Sequence, residues 1–152
     1  MSQEITPNPI STSGVVLDSL SANEFAVEID GTRATGIFRI IGFKSFKLDV
    51  RPALTKYVQE PFTLTKMVQR DPQLPFNQWV RETVNAKDDI NRPKRTLTIL
   101  ALDEGIEIRR WTIKNAWINE INYSDFDTSN NALVEEKLTI QFESIEESWG
   151  EA

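Results

Sequence analysis

The side chains able to do chemistry in this chain are few and rest on oxygen. Its 152 residues include neither cysteine nor histidine. That removes thiolate nucleophiles, disulfides, imidazole bases and nearly all zinc sites. Asp125 and Asp127, with Ser124, Thr128 and Ser129 beside them, gather hard oxygen ligands of the kind calcium takes. The run lacks the glycine and closing glutamate of an EF-hand loop, and Asx and Ser turns account for the same residues. Trp111 and Trp117 lie six residues apart, on one side of a regular strand, where two indoles could form a sugar-stacking platform. Glu136 is the odd residue on an apolar row with Val134, Leu138, Ile140 and Phe142. A buried charge must be paired. Its partner is either an intrachain cation such as Arg95 or Arg110, or a residue across a subunit boundary. No glycine pattern for binding phosphates or dinucleotides is present. The residues thus imply no catalytic residue, no metal, no cofactor and no enzyme.

The elements that carry these residues read mostly as strands. Arg95 to Leu102 and Ile106 to Trp117 alternate apolar with polar residues and are joined by the turn Asp103-Glu104-Gly105, which predicts a hairpin. A polar loop from Asn122 to Asn131 leads to a last strand from Val134 to Phe142. Ile106 and Ile108 fall on even positions but Trp111, Ile113 and Trp117 on odd ones. Either a bulge near Arg109–Arg110 joins the two sets, or they face different sheets. Earlier in the chain, Phe25 to Ile29, Ile37 to Ile41 and Phe43 to Val50 read as strands, with Gly42 as a bulge or bend. Phe46, Leu48 and Val50 share one face of the last of these. Pro61 to Val68 is a further strand, with Phe62, Leu64 and Lys66 on one face.

One helix is expected, starting at Pro72 or Pro75 and ending near Lys87, because Phe76, Trp79, Val80 and Val84 form an apolar stripe. These four are the helix-packing residues. Residues 1–23 read either as a disordered tail or as an arm ordered only on assembly against a neighbouring subunit. Residues 24–146 form the folded domain, and residues 147–152 an acidic C-terminal tail carrying Trp149. The net charge of −6 argues against sequence-specific nucleic-acid binding, which needs a basic surface. No apolar run is long enough to span a bilayer and no secretory signal pattern opens the chain, so the expectation is assembly in a cytoplasm without a membrane anchor. The result is a mainly β domain with one α-helix, an antiparallel β-sandwich or small barrel.

The order Arg110-Trp111-Thr-Ile-Lys-Asn115-Ala116-Trp117, a loop rich in Asp, Ser and Asn (residues 124–131), and Glu136-Lys-Leu138 resembles the tail-tube family of contractile phages and contractile injection systems. It is also similar in fold to the type VI secretion tube protein. The motif and core residues carried over are Arg110, Trp111, Asn115, Ala116, Trp117 and Leu138. The sequence departs from the family at Ile118, where proline is common, and has no glycine between Gly42 and Gly105. The resemblance implies a structural inner-tube subunit whose sheets join into a ring-wide β-barrel on hexamerisation. Rings then stack around a channel for delivery through a target envelope. It further implies a projecting loop over residues 51–60 that docks one ring on the next. Glu136, Lys66, Tyr57 and Val58 are candidates for the subunit interface. The implied partners are further copies of the chain, the contractile sheath, baseplate and tube-terminator proteins, and an effector cargo in the lumen. The other readings are a specialised baseplate-end or terminator ring and, from another class, a carbohydrate-binding β-sandwich module.

Overall fold

The computed structural model describes residues 20–22, 24–51, 54–88 and 90–150. Among them are β1 (Phe25–Ile29), β2 (Thr32–Arg33), β3 (Ile37–Ile41), β4 (Leu48–Arg51), β5 (Leu54–Tyr57), β6 (Phe62–Met67), α1 (Pro75–Ala86), β7 (Arg95–Asp103), β8 (Ile106–Tyr123), β9 (Glu135–Gln141) and β10 (Ser144–Trp149). Of the N-terminal arm expected over residues 1–23, all but residues 20–22 lies outside the described residues.

The spine is β8, 18 residues long. One wing of the sheet runs β2-β1-β7-β8 with β10 beside β8, and the other runs β8-β9-β6-β3. All of these pairings are antiparallel. Along one edge of β8 lies β7. Along the other edge, β10 covers residues 109–114 and β9 covers residues 117–123.

The wings fold over each other because β8 bends where it gains residues relative to β7. Ala101 faces Arg109 but Leu102 faces Glu107, so Ile108 bulges, just before the expected Arg109–Arg110 position. A second shift falls between the pairs Arg95–Ala116 and Leu97–Ile113, where Asn115 sits at φ 53°. Asparagine enters this left-handed region more readily than most residues. The inward face changes parity there, so that Ile113 and Ala116 are both fully buried. The facing strand turns the same corner: Phe142 packs inward at the end of β9, and Ile145 packs inward at the start of β10.

Between the wings lies one core. Val27, Ile29, Leu97, Ile99 and Ile113 come from the first wing, and Phe62, Leu64, Ile118, Leu138 and Ile140 from the second. The helix adds Phe76 and Trp79, whose ring centroids stand 5.7 Å apart. Trp79 is fully buried and its Nε1 donates to the Pro93 carbonyl at 3.0 Å, so the polar edge of the indole is satisfied. Of the two candidate starts, Pro75 begins α1, and Lys87 ends it at φ 59° with its N–H donating to the Thr83 carbonyl.

Four expectations are corrected. Val84 does not pack beneath the helix but is 52% exposed. At about 100° per residue, Thr83 falls nearer the centre of the buried stripe, and it donates to the Trp79 carbonyl at 2.8 Å. The strand expected from Phe43 to Val50 is interrupted, since Gly42 at φ 75° turns the chain and regular pairing resumes only at β4. Phe43 enters the core edge-on to Phe62 and Trp111, at 5.4 and 5.7 Å. Residues 51–60, expected as a loop, instead supply β5 and complete a separate two-stranded hairpin with β4. The acidic ending is not a separate tail, because Ser144–Trp149 pairs with β8 as β10.

Candidate functional site

The buried charge on the last core strand is paired inside the chain. Lys66 faces Glu136 across the β6–β9 register, and its Nζ donates to Glu136 Oε1 at 2.8 Å. The same ammonium donates to Asn77 Oδ1 and the Met67 carbonyl, both at 3.0 Å, which uses all three protons. The second carboxylate oxygen, Oε2, accepts from the Tyr123 hydroxyl at 2.9 Å. Asn77 in turn donates to the Asp71 carbonyl, so the network ties β6, β8 and β9 to the start of α1. The expected partners are occupied elsewhere: Arg95 with Glu82 and Asp30, and Arg110 with Glu107. With Lys66 at 0% and Glu136 at 5% exposure, neither offers surface to a neighbouring subunit as the interface expectation required. Burial and the Glu136 carboxylate together raise the Tyr123 phenol above its ordinary value.

What the second wing does offer is backbone. Its order places β3 at one end. At the other end, β7 accompanies β8 only as far as Ala116, so β8 beyond Trp117 has no strand on that side among the described residues. An edge strand of this kind is a template for pairing with another chain. Arg39 on β3 reaches to 3.6 Å from the carboxylate of Glu135 at the start of β9. Glu120 faces Thr139 across β8–β9 and so shares the face of Lys137's neighbours Asn122 and Thr139. The core-facing positions of β9 are Glu136, Leu138 and Ile140. Alternation therefore turns Glu135, Lys137, Thr139 and Gln141 outward.

Among the described residues the β4–β5 hairpin pairs with no other strand. Its base is closed by Val58 N–H on the Lys47 carbonyl at 3.0 Å, and by Lys44 and Lys47 on Glu60. Those two ammonium groups hold the Glu60 carboxyl below its usual value. Val58 is half-buried at this base, and Tyr57 pairs with Leu48 through the backbone. The Tyr57 side chain lies outside the described residues. Phe46, Leu48 and Val50 are 68%, 43% and 72% exposed, so this apolar row faces solvent.

The motif residues divide between framework and surface. Arg110 grips Glu107 with Nε and Nη2 at 2.9 and 2.8 Å, which lowers the Glu107 carboxyl. Asn115 makes the corner, while Ala116 and Leu138 are fully buried. Trp111 packs on the core, but the corner rotates Trp117 to the opposite face, under the Arg92 guanidinium at 4.0 Å. The two indoles therefore form no common sugar-stacking platform. Asp127 caps its own turn through the Ser129 N–H and hydroxyl at 2.9 and 2.7 Å, which lowers its carboxyl. No grouping of three metal-ligating side chains occurs among the described residues. Sequence reasoning placed both Lys66 and Glu136 on inward rows without joining them. It missed β10, where Lys114 meets Glu146 at 2.8 Å and Arg109 covers the Trp149 ring at 3.4 Å.

No curated protein shows significant sequence similarity to the chain. Several solved structures share its fold at low identity. A chain of an extracellular contractile injection system, the PVC sheath-tube complex in its extended state, superposes with TM-score 0.67 at 15% identity, covering 92% of this chain and 100% of its own. A chain of the anti-feeding prophage tube-terminating cap gives 0.68 at 16% identity, over 91% and 97%. Hcp1 from Flavobacterium johnsoniae gives 0.54 at 9% identity, over 84% and 96%. These likenesses establish the antiparallel tube-type fold, open in the single subunit. Residues 21–146 match the model of the T4-like virus tail tube protein gp19, and the chain belongs to that tail tube family.

Proposed function

We propose that this chain is a ring-forming inner-tube subunit of a contractile injection system or phage tail, and that its second wing lines the channel. The observation that carries the reading is the pair of open edges on β3 and on β8 beyond Trp117. Four strands in antiparallel alternation leave these edges running in opposite directions. A second copy can therefore lay its β8 edge against β3 and continue the alternation without a break. Such a head-to-tail contact closes into a ring and removes both edges. Arg39 on one edge and Glu120 on the other supply opposite charges for the seam.

In the ring the outward face of this wing, with Thr139, Gln141 and Lys137, turns toward the lumen. The first wing then turns outward, toward the sheath. The β4–β5 hairpin, bearing Leu48 and Val50, is the contact to the next ring. Baseplate and terminator proteins meet the two ends of the stack, assembly takes place in the cytoplasm, and effector cargo travels in the lumen.

Negative-stain electron microscopy across a concentration series, with and without a baseplate template, tests this reading. Rings with a central hole, alone or stacked, are expected. Rings that never stack would assign the chain to a baseplate-end or terminator position. A monomer under every condition would contradict the reading.

A further inference from the structure

Between the β1 side of the first wing and β3 of the second, the core opens to the surface as an apolar groove. Ala22, Phe25, Phe38, Ile40, Phe43 and Ile99 line it, with Arg39 at its rim. Phe38 is 38% exposed there, and Leu20, two residues before Ala22, is 42% exposed. The chain thus enters the fold across this groove, and Ala22 is part of its wall.

Ahead of Leu20 lie 19 residues, in which Val15-Val16-Leu17 is the only run of three apolar side chains. We propose that residues 15–17 of the same chain fold back and cap this groove. Ala22 lies six positions after Val16. The extended reach of that span, about 20 Å, lets the run double back over the wall it has just crossed. A tether this short also gives the segment a local concentration in the mM range, ahead of any arm from another copy. Charge agrees with this placement. The segment has no lysine or arginine to meet Arg39 in the groove lining, and the residue that follows Leu17 is the anionic Asp18. Capping would cover apolar side chains that otherwise lie at an open seam between the wings. The inference does not depend on ring formation.

Because the chain has no cysteine, an engineered pair reports the contact directly. The double variant Val16→Cys with Phe38→Cys, mildly oxidised and run on a non-reducing gel, is expected to give a faster-migrating monomer band. The control Val16→Cys with Val84→Cys, on the exposed helix face, is expected to give none. An interchain ladder, which would put the arm on a neighbouring copy, overturns the proposal, as does absence of any cross-link. As a second readout, Val15→Asp with Leu17→Asp is expected to raise the fluorescence of an apolar dye severalfold while leaving the far-UV circular dichroism unchanged. Unchanged dye fluorescence would overturn the proposal in the same way.

Discussion

Lys66 Nζ and Glu136 Oε1 meet at 2.8 Å in a site where the two residues are 0% and 5% exposed. Each is the charged member of an otherwise apolar inward row, and direct cross-strand pairing brings them together. Tyr123 satisfies the second carboxylate oxygen, and Asn77 and the Met67 carbonyl take the two remaining protons, so neither ion keeps an unmet hydrogen bond toward the core. Desolvation makes such a pair a poor source of net stability, but removal of one partner strands the other.

Glu136→Ala is therefore expected to lower unfolding stability by about 3–5 kcal/mol, with Lys66 left charged and unpaired. Replacing both, as Lys66→Met with Glu136→Leu, is expected to recover most or all of that loss. Urea unfolding followed by tryptophan fluorescence measures both. Equal losses in the single and double variants would mean that shape, not charge pairing, dominates the site.

Asn115 at φ 53° turns the corner between the wings. A side chain with a Cβ and no local polar compensation costs about 1–2 kcal/mol in that region, whereas glycine costs little. Asn115→Ala is expected to destabilise by about that amount, and Asn115→Gly by much less. Thermal unfolding of the two variants side by side checks the order.

The chain has two tyrosines. Burial first, and then its hydrogen bond to Glu136, raises the Tyr123 phenol above its ordinary value of 10.0. The neutral phenol is the form the fold favours. Its contribution to stability is thus complete below pH 10 and is lost as pH climbs through the higher folded-state value. An alkaline absorbance titration of the phenolate is expected to show one late step that Tyr123→Phe removes.

Much of this architecture was legible in local pattern. The alternation in β1, β3, β6, β7 and β9, the Gly105 hairpin turn and the Phe76–Trp79 helix face all depend on neighbouring residues. What escaped depends on residues far apart in sequence. β10 reads as a solvated acidic run, Ser-Ile-Glu-Glu-Ser-Trp, because the strand it pairs with, β8, and the cations that meet its glutamates, Lys114 and Arg109, lie far back in the sequence. The Asn115 corner was masked for a different reason. Trp111, Ile113 and Trp117 keep strict parity in sequence, while the inserted residue reverses the face between Ile113 and Ala116. Asparagine itself was the available signal, as a residue that tolerates the left-handed region. The Lys66–Glu136 pair was half visible, since both charges stood on inward rows and only the register joined them.

The hairpin gives a prediction that separates stacking from folding. Val50 is 72% exposed, so Val50→Asp is expected to leave the thermal midpoint within the small range usual for surface substitutions. It is also expected to shorten or abolish tubes while single rings persist, as counted in electron micrographs. Tubes of normal length would remove the hairpin from the stacking contact.

The central claim is that the edge of β3 on one copy joins the edge of β8 on the next, with Arg39 opposite Glu120. Charge reversal at either edge sets like charges across every seam. About 0.5–1 kcal/mol of repulsion per seam accumulates around a closed ring. The most direct measurement is electron microscopy of Arg39→Glu alone, Glu120→Arg alone and their equimolar mixture. Each variant alone is expected to fail to form rings. The mixture is expected to restore them, since alternating copies make every seam complementary again. Rings from either variant alone, or none from the mixture when the wild type forms them, would contradict the seam.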